Sequence, residues 1–206
     1  MSGQRSVRPA RRRSGPGLPA TGVFPRGGPV ALTGTPGVGK SSVARRLAAR
    51  WTSLEVRDLA RRLGAGHRRG REFEVDLPRL RQAIRRTRPL EGVDLLVGHL
   101  AHLLPVRGAI VLRCHPRELA GRLRRAHRGN RGQRRANYLS EALDLVLVEA
   151  LEGRLPVYEV DTTGRSIAEV AEEVDRRLRR RGRCRSGEVD WLADPAVTEE
   201  LLDRVD

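Results

Sequence analysis

The chain has 206 residues and a formal net charge of +16, with 41 Lys and Arg residues against 25 Asp and Glu. This length allows one well-filled domain with tails and argues against two independent cores. No apolar run reaches membrane-spanning length and no apolar signal segment opens the sequence, so we expect a cytoplasmic protein that does not contact a membrane. The charge predicts attraction to polyanions such as nucleotides or RNA, although arginine codons favoured by a GC-rich genome would contribute to the same excess.

Two tails flank the predicted domain. Residues 1–28 are rich in Arg, Pro and Gly and lack hydrophobic periodicity, which predicts a disordered basic tail. This tail could grip rRNA, and it could equally be an extension from an upstream start codon. At the other end, residues 185–206 turn acidic, and Trp191 with Leu192 either docks as an amphipathic patch or trails.

A phosphate-binding loop is the clearest motif of the chain. Residues 30–42 read V-A-L-T-G-T-P-G-V-G-K-S-S, in which Gly34 is followed, after four residues, by the run Gly-Lys-Ser at 39–41. The glycines let backbone N–H groups point at one anion, and the start of the following helix adds a partial positive charge. Lys40, the single lysine of the chain, would reach the outer phosphates, and the Ser41 hydroxyl would bind a bridging Mg²⁺ ion.

Short apolar runs alternate with helical patterns from residue 29 onwards. Strands are predicted at 30–33, 53–56, 93–97, 109–113 and 157–160. Helices are predicted at 40–50, 77–86, from 116 onwards, at 137–151 and at 166–180. This alternation predicts an α/β fold with a parallel sheet covered on both faces, in which ligands bind at the carboxyl ends of the strands.

Two segments interrupt the alternation where a phosphoryl-transfer enzyme needs moving parts. The first, residues 58–78, could hold a second nucleotide. The second, residues 122–135, is rich in arginine and could close as a lid whose guanidinium groups neutralise a transferring phosphoryl group and exclude water. A solvated helix face would show the same composition.

Two histidines follow the third predicted strand and should face the phosphates. His99 and His102 lie in the run G-H-L-A-H-L that begins at residue 98. Either side chain could relay a proton or hold a water molecule. A capping or packing role is equally compatible with their position.

Several motifs, taken in order, resemble one family. They are the phosphate loop at 34–41 and the runs Asp58-Leu59-Ala60-Arg61, Gly98-His99-Leu100-Ala101-His102-Leu103, Val111-Leu112-Arg113-Cys114, Glu141-Ala142-Leu143-Asp144, Tyr158-Glu159-Val160-Asp161 and Val189-Asp190-Trp191. The set, which spans residues 29–191, is similar to the archaeal adenylate kinases that are related to the eukaryotic nuclear adenylate kinase and ATPase.

The resemblance implies a fold. It is a three-layer P-loop NTPase fold of the nucleoside monophosphate (NMP) kinase type, with a parallel sheet. One kinase domain would cover residues 29–184. Within it, the NMP-binding segment would lie at about 55–78 and a short lid at about 124–135.

The same resemblance implies an activity. Family members transfer the terminal phosphate of ATP to AMP or other NMPs with broad base tolerance, use Mg²⁺, and also hydrolyse ATP. They are associated with late maturation of the small ribosomal subunit, through transient contact with one of its proteins. The basic tail of this chain could add contact with rRNA.

Site residues carry over from the family by matching position. The triphosphate ligands would be Gly37, Gly39, Lys40, Ser41 and Ser42. Ser41 would also bind the metal. Lys40 and His99 would be catalytic together with an arginine of the lid, for which Arg125 and Arg128 are both candidates and Arg125 is our choice.

One departure from the family bears on catalysis. The family usually carries an acidic residue two positions before His99, where this chain has Val97. A carboxylate there would hold Mg²⁺ directly or through water, and Asp94, three residues earlier, is a poor substitute. Three functions therefore stay open: an AMP-phosphorylating kinase, a nucleotide-switched ribosome assembly ATPase with little kinase turnover, and a kinase for a nucleoside or another small molecule.

Overall fold

A five-stranded parallel sheet forms the centre of the structure, a computed structural model that describes residues 24–25, 27–70, 72–126, 129–179 and 186–202. The strands within these ranges are β1 (Val30–Thr33), β2 (Ser53–Glu55), β3 (Gly66–Arg69), β4 (Glu72–Val75), β5 (Leu95–Val97), β6 (Ala109–Arg113) and β7 (Val157–Asp161). The helices are α1 (Lys40–Leu47), α2 (Val56–Arg62), α3 (Leu77–Thr87), α4 (Pro116–Arg125), α5 (Arg131–Ala142), α6 (Leu145–Glu152), α7 (Ile167–Arg179) and α8 (Pro195–Leu202). Most of the predicted N-terminal tail, residues 1–23, lies outside the described residues.

The sheet order β2-β5-β1-β6-β7 places β1 in the middle. Every neighbouring pair is parallel, so all five carboxyl ends lie along one edge, which we call the carboxyl edge. There Leu32 of β1 pairs with Val97 of β5, and Val97 pairs with Glu55 of β2. The phosphate loop leaves β1 at the carboxyl edge, which is where open parallel sheets bind their ligands. The predicted α/β class with a parallel sheet is confirmed.

Helices cover both faces of the sheet because successive strand residues point to opposite sides. Val30 and Leu32 join an apolar cluster with residues of α1, α4 and α7, whereas Ala31 joins a second cluster with residues of α2, α3 and α6. The three-layer arrangement is therefore confirmed. Across the described ranges, every helix falls short of the length and apolar character that crossing a bilayer requires.

A β-hairpin and two helices form the segment that we expect to hold a second nucleotide. Strands β3 and β4 pair antiparallel, and Phe73 packs so closely on Gly66 that a Cβ atom there would lie 2.7 Å from its ring. The Arg61 guanidinium of α2 lies over the Phe73 ring, 5.2 Å from its centroid. The sequence does not reveal this hairpin because residues 67–70 are exposed, so the apolar alternation of a half-buried strand is missing.

The predicted lid at about 124–135 is largely helical. Helix α4 continues to Arg125, and α5 begins directly after Asn130, which forms a reciprocal capping box with Gln133. Residues 127–128, between the two helices, lie outside the described ranges. Helix α5 therefore starts earlier than the predicted helix at 137, because its polar first turn hides the hydrophobic period.

The predicted helix at 137–151 is also broken in two. Asp144 adopts a left-handed backbone conformation with φ of 56° and separates α5 from α6. Its carboxylate accepts a hydrogen bond from Arg113 of β6, on a different element. This tertiary contact stabilises the left-handed conformation of Asp144, at which the helix is interrupted. The prediction of a single helix at 137–151 is therefore wrong.

The N-terminal end of the described chain packs on the domain. Phe24 contacts Tyr158 of β7 edge to face, with ring centroids 5.3 Å apart. Arg107 donates to the carbonyl oxygen of Pro25 at 2.9 Å. Phe24 and Pro25 thus contact the domain although they precede the predicted boundary at residue 28.

The described C-terminal segment, residues 186–202, docks on the domain through α8. Val197 is fully buried in a cluster with Tyr138 and Ala142 of α5. Trp191 packs on the same cluster, whereas Leu192 remains 49% exposed. Docking thus involves Trp191 and α8, and Leu192 takes little part in it.

Candidate active site

The phosphate loop folds around the ammonium group of Lys40. The Nζ atom donates to the carbonyl oxygen of Gly34 at 2.7 Å and to that of Thr35 at 3.0 Å. Gly37 and Gly39 have φ angles of 104° and 108°, which side chains disfavour. Gly39 is also the N-cap of α1, so the loop runs directly into the positive end of that helix. The result is an anion cradle with a cation held against it.

The loop has no room for larger residues at two of its glycines. A Cβ atom at Gly34 would clash with the carbonyl oxygen of Leu112 in β6. A Cβ atom at Gly37 would lie 2.8 Å from side-chain atoms of both Leu119 and Leu123 in α4. The loop therefore packs closely between β6 and α4, and this packing requires glycine at both positions.

Ser41 is the side chain beside the loop that we expect to bind Mg²⁺. Ser41 is exposed in the first turn of α1, beside Lys40. Val97 ends the neighbouring strand β5 and is 1% exposed. Asp94 lies at the amino end of β5, where its carboxylate accepts the N–H of Thr52 at 2.8 Å, so it does not replace an acidic residue at 97. An ion that arrives with ATP keeps phosphate oxygens and waters, and the Ser41 hydroxyl fits such a shell.

The described ranges contain no group of three or more His, Cys, Asp or Glu side chains that could hold a metal ion. A resident metal centre therefore has no donor set in this part of the chain. Magnesium would depend on the nucleotide for most of its ligands.

The two histidines have different surroundings. The His102 side chain is buried, and its ring bonds Thr33 through Nδ1 and Glu149 through Nε2, each at 3.0 Å. His99 is exposed at the carboxyl edge. Partial burial of its ring and the nearby charge of Lys40 both lower the pKa of His99. His102 therefore has a packing role, whereas His99 is available to a ligand.

One arginine that the sequence does not single out lies against the loop. Arg122 of α4 donates to the carbonyl oxygen of Val38 at 3.4 Å and to that of Thr162 at 2.7 Å. Glu118, one turn earlier, holds the same guanidinium through Nε and Nη2. Arg125, our candidate from the sequence, is exposed on the last turn of α4 and stays a prediction.

A buried cluster of charges lies next to the loop. Arg113 of β6 is 2% exposed and donates through Nε to Glu141 at 3.0 Å. It also donates through Nη1 to Glu159 at 2.6 Å, and through Nη2 to Asp144. Glu141 in turn accepts the hydroxyl of Thr35 at 2.5 Å. Burial alone would lower the pKa of Arg113, but the three carboxylates outweigh it and raise that pKa, so the guanidinium stays charged.

Sequence reasoning misses four of these residues. Arg113 and Glu141 lie in motifs that carry the family resemblance, and Thr35 lies within the loop, yet the sequence assigns them no role. A charged residue at the end of an apolar strand is the available signal, because a buried arginine requires carboxylate partners. For Arg122 the signal is helical spacing, since it follows the inward-facing Leu119 by three residues.

These elements together can bind a chain of phosphates at the carboxyl edge. Lys40, Ser41 and Ser42 stand at the start of α1, and the Ser42 hydroxyl accepts Arg45 at 3.3 Å. His99 follows the adjacent strand β5. The arrangement concentrates positive charge and N–H groups at one place, which suits the transfer of a charged group.

Comparison with known proteins identifies the family. A family model described as "AAA domain" matches residues 30–145. A protein of Thermococcus kodakarensis named "Putative adenylate kinase" is 40% identical over 176 residues, which cover 84% of this chain and 96% of that protein. Proteins of the same name from Pyrococcus furiosus and Archaeoglobus fulgidus are 39% and 40% identical, over 84% and 86% of this chain and 94% and 96% of theirs. The chain therefore belongs to this family of archaeal adenylate kinases. The family resemblance that we inferred from the order of the sequence motifs is confirmed.

Proposed function

We propose that the protein is a broad-specificity NMP kinase that transfers the terminal phosphate of ATP to AMP or other NMPs and also hydrolyses ATP. One observation carries the proposal: the Lys40 ammonium is bonded to the carbonyls of Gly34 and Thr35 in a glycine loop that leaves the central strand at the carboxyl edge. The shared name of the relatives supports AMP as the acceptor.

The triphosphate would be bound by the loop and the start of α1. Phosphate oxygens would replace the loop carbonyls as partners of the Lys40 ammonium, and the N–H groups at Gly37 and Gly39 would hold further oxygens. The Ser41 hydroxyl would hold a Mg²⁺ ion that arrives with the nucleotide, and this ion would supply neutralisation of the phosphate charge. Arg122 adds a second cation on the α4 side of the loop. Catalysis then consists mainly of positioning and charge neutralisation.

Two further residues would act on the transferring group. Because its pKa is lowered, His99 is mostly neutral at pH 7 and can accept a hydrogen bond from the acceptor or from water. Arg125 stands where α4 ends, so closure of residues 124–135 would bring it over the phosphates and exclude water.

Residues 55–78 would bind the monophosphate. Helix α2 follows β2 directly at the carboxyl edge and carries the exposed cations Arg57, Arg61 and Arg62. A guanidinium matches the geometry of a phosphate group through paired N–H donors. The same segment would place the acceptor opposite the phosphate loop.

A coupled assay across the common NMPs tests the proposal. The full chain is supplied with Mg-ATP and one monophosphate at a time, and ADP formation is followed. We expect product in proportion to added monophosphate, with AMP the fastest acceptor, and slow hydrolysis of ATP without any acceptor. A rate of ADP formation that does not increase with any of the monophosphates would contradict the kinase assignment.

A second function, a nucleotide-switched assembly ATPase, is favoured by Val97. An apolar residue at the end of β5 leaves Mg²⁺ without the usual carboxylate, which would slow transfer. Such a protein would contact the small ribosomal subunit transiently in the cytoplasm, through one of its proteins and, given the charge of +16, through rRNA. Adding ribosomal particles to the assay separates the two functions. The particles would increase the rate of ATP hydrolysis by an assembly ATPase, whereas they would leave the AMP-dependent ADP formation of a kinase unchanged.

Val97→Asp is expected to raise kcat for AMP phosphorylation about tenfold, because a carboxylate there would join the outer shell of Mg²⁺. Val97 points into the same layer as α1, the helix that carries Ser41. The Mg²⁺ concentration needed for half-maximal rate should fall as well. Val97→Asn serves as the control, because asparagine has nearly the same shape as aspartate but carries no charge. Unchanged kcat and Mg²⁺ dependence in a folded Val97→Asp protein would show that this carboxylate does not limit transfer.

A further inference from the structure

The C-terminal segment is connected to the phosphate loop through one buried carboxylate. Glu141 of α5 is 2% exposed. Its Oε2 atom accepts the Thr35 hydroxyl of the loop at 2.5 Å. Its Oε1 atom accepts the Arg113 Nε–H at 3.0 Å and the Cys114 backbone N–H at 3.0 Å. The same oxygen accepts the indole N–H of Trp191 at 3.2 Å.

Thr35 belongs to the part of the loop that contacts the Lys40 ammonium group. It is 1% exposed, so the hydroxyl and its carboxylate partner are shielded from water. Its carbonyl oxygen accepts both the Lys40 ammonium at 3.0 Å and the N–H of Val38 at 3.3 Å. A change in the position of Thr35 would therefore move two of the groups that define the loop.

Trp191 attaches the C-terminal segment to the same cluster. Its ring lies 5.8 Å from the Arg113 guanidinium and meets His115 edge to face at 5.2 Å. A second attachment lies nearby, where Glu159 accepts the backbone N–H groups of Gly187 and Glu188. The segment thus contacts the charged cluster at two points.

A buried carboxylate that is satisfied by several donors has one well-defined orientation, and loss of any donor weakens the others. We propose that Glu141 is a positioning residue that holds the phosphate loop in its ATP-binding conformation through Thr35, and that the C-terminal segment sets the orientation of Glu141 through Trp191. This inference rests on the proposed function, because it concerns ATP binding by that same loop.

The test compares Mg-ATP affinity, measured by titration calorimetry on the full chain, among matched variants. Thr35→Val removes the hydroxyl and is expected to raise Kd about tenfold, whereas Thr35→Ser keeps it and should stay within about twofold of the parent. Trp191→Phe removes the indole donor, keeps a single aromatic ring for packing, and should raise Kd about threefold. Trp51→Phe is the control, since that indole also donates to a carboxylate, Asp175 of α7, at 2.8 Å, but from the turn that follows α1. It should lower Tm without changing Kd.

The double variant distinguishes positioning from general damage. Thr35→Val combined with Trp191→Phe should raise Kd by less than the product of the single effects, because both act through Glu141. Parent affinity in both single variants, or a Thr35→Ser protein that binds as weakly as Thr35→Val, would overturn the inference. If the parent phosphorylates AMP while these outcomes appear, only the positioning role fails. If the parent does not bind Mg-ATP, the proposed function fails and the inference fails with it.

Discussion

Lys40→Ala is expected to lower kcat for ADP formation from ATP and AMP about 10³-fold or more, while the protein stays folded. The ammonium is the cation of the loop, and phosphoryl transfer depends on positive groups fixed around the transferring phosphate. The ammonium donates to the carbonyl oxygens of Gly34 and Thr35, which are neutral groups. The loss of these two hydrogen bonds should shift Tm by about 2–4 °C.

Two further variants make the Lys40 result specific. Lys40→Arg keeps the positive charge but replaces the compact ammonium with a planar guanidinium group, so this variant should also lose most of its kinase activity. Arg46→Ala removes a charge from an exposed position of the same helix and should retain the parent kcat. A Lys40→Ala protein that makes ADP at the parent rate would falsify the assignment of the site.

Arg113→Met is expected to reduce the free energy of unfolding at pH 7 by about 3–5 kcal/mol, because the removal of one partner leaves buried carboxylates without a counter-charge. The side chains of Glu141 and Glu159 are only 2% and 1% exposed. Methionine nearly fills the space of the arginine stem, so the loss reports mainly on charge. Equilibrium unfolding in urea, followed by circular dichroism, measures it.

The destabilisation should change with pH in one direction. Burial raises the pKa of both Asp144 and Glu159, while Arg113 opposes this rise. Without Arg113, the pKa values of these carboxyl groups in the folded protein rise further above their values in the unfolded chain, which are about 4. The variant therefore keeps its stability below about pH 4 and loses stability as the pH increases. The variant should therefore be closest to the parent near pH 4 and furthest from it at neutral pH.

A control separates this result from the loss of any arginine. Arg50 also bonds a carboxylate, Asp175, at 3.1 Å, but its side chain is 64% exposed. Arg50→Met should cost less than about 1 kcal/mol. Equal losses for the two variants, or a loss at Arg113 that does not vary with pH, would rule out uncompensated carboxylates as the cause.

Features with a strong local signal can be predicted from this sequence. The strands β1 and β6 begin and end at the predicted residues, because continuous apolar runs of that length are typical of buried parallel strands. The phosphate loop is equally local, since glycine spacing and one lysine define it. Lys40, Ser41 and His99 accordingly lie at the carboxyl edge, where the sequence places them.

Features that depend on distant partners could not be predicted. Arg113 meets Glu141 and Glu159 across separations of 28 and 46 residues, so no sequence window shows them together. Arg122 and Arg125 lie in one arginine-rich run, and only the rotational phase of α4 decides that Arg122 contacts the loop.

The position of Phe24 has a practical consequence. Its ring lies against Gly108, the residue immediately before β6, at the end of the sheet opposite the phosphate loop. In a variant shortened so that it begins at Phe24, a dye, an affinity tag or a biotin group joined to the new N-terminus would lie at the opposite end of the sheet from the phosphate loop. Such a shortened protein, captured on a sensor chip through this group, would present the phosphate loop to the flowing solution.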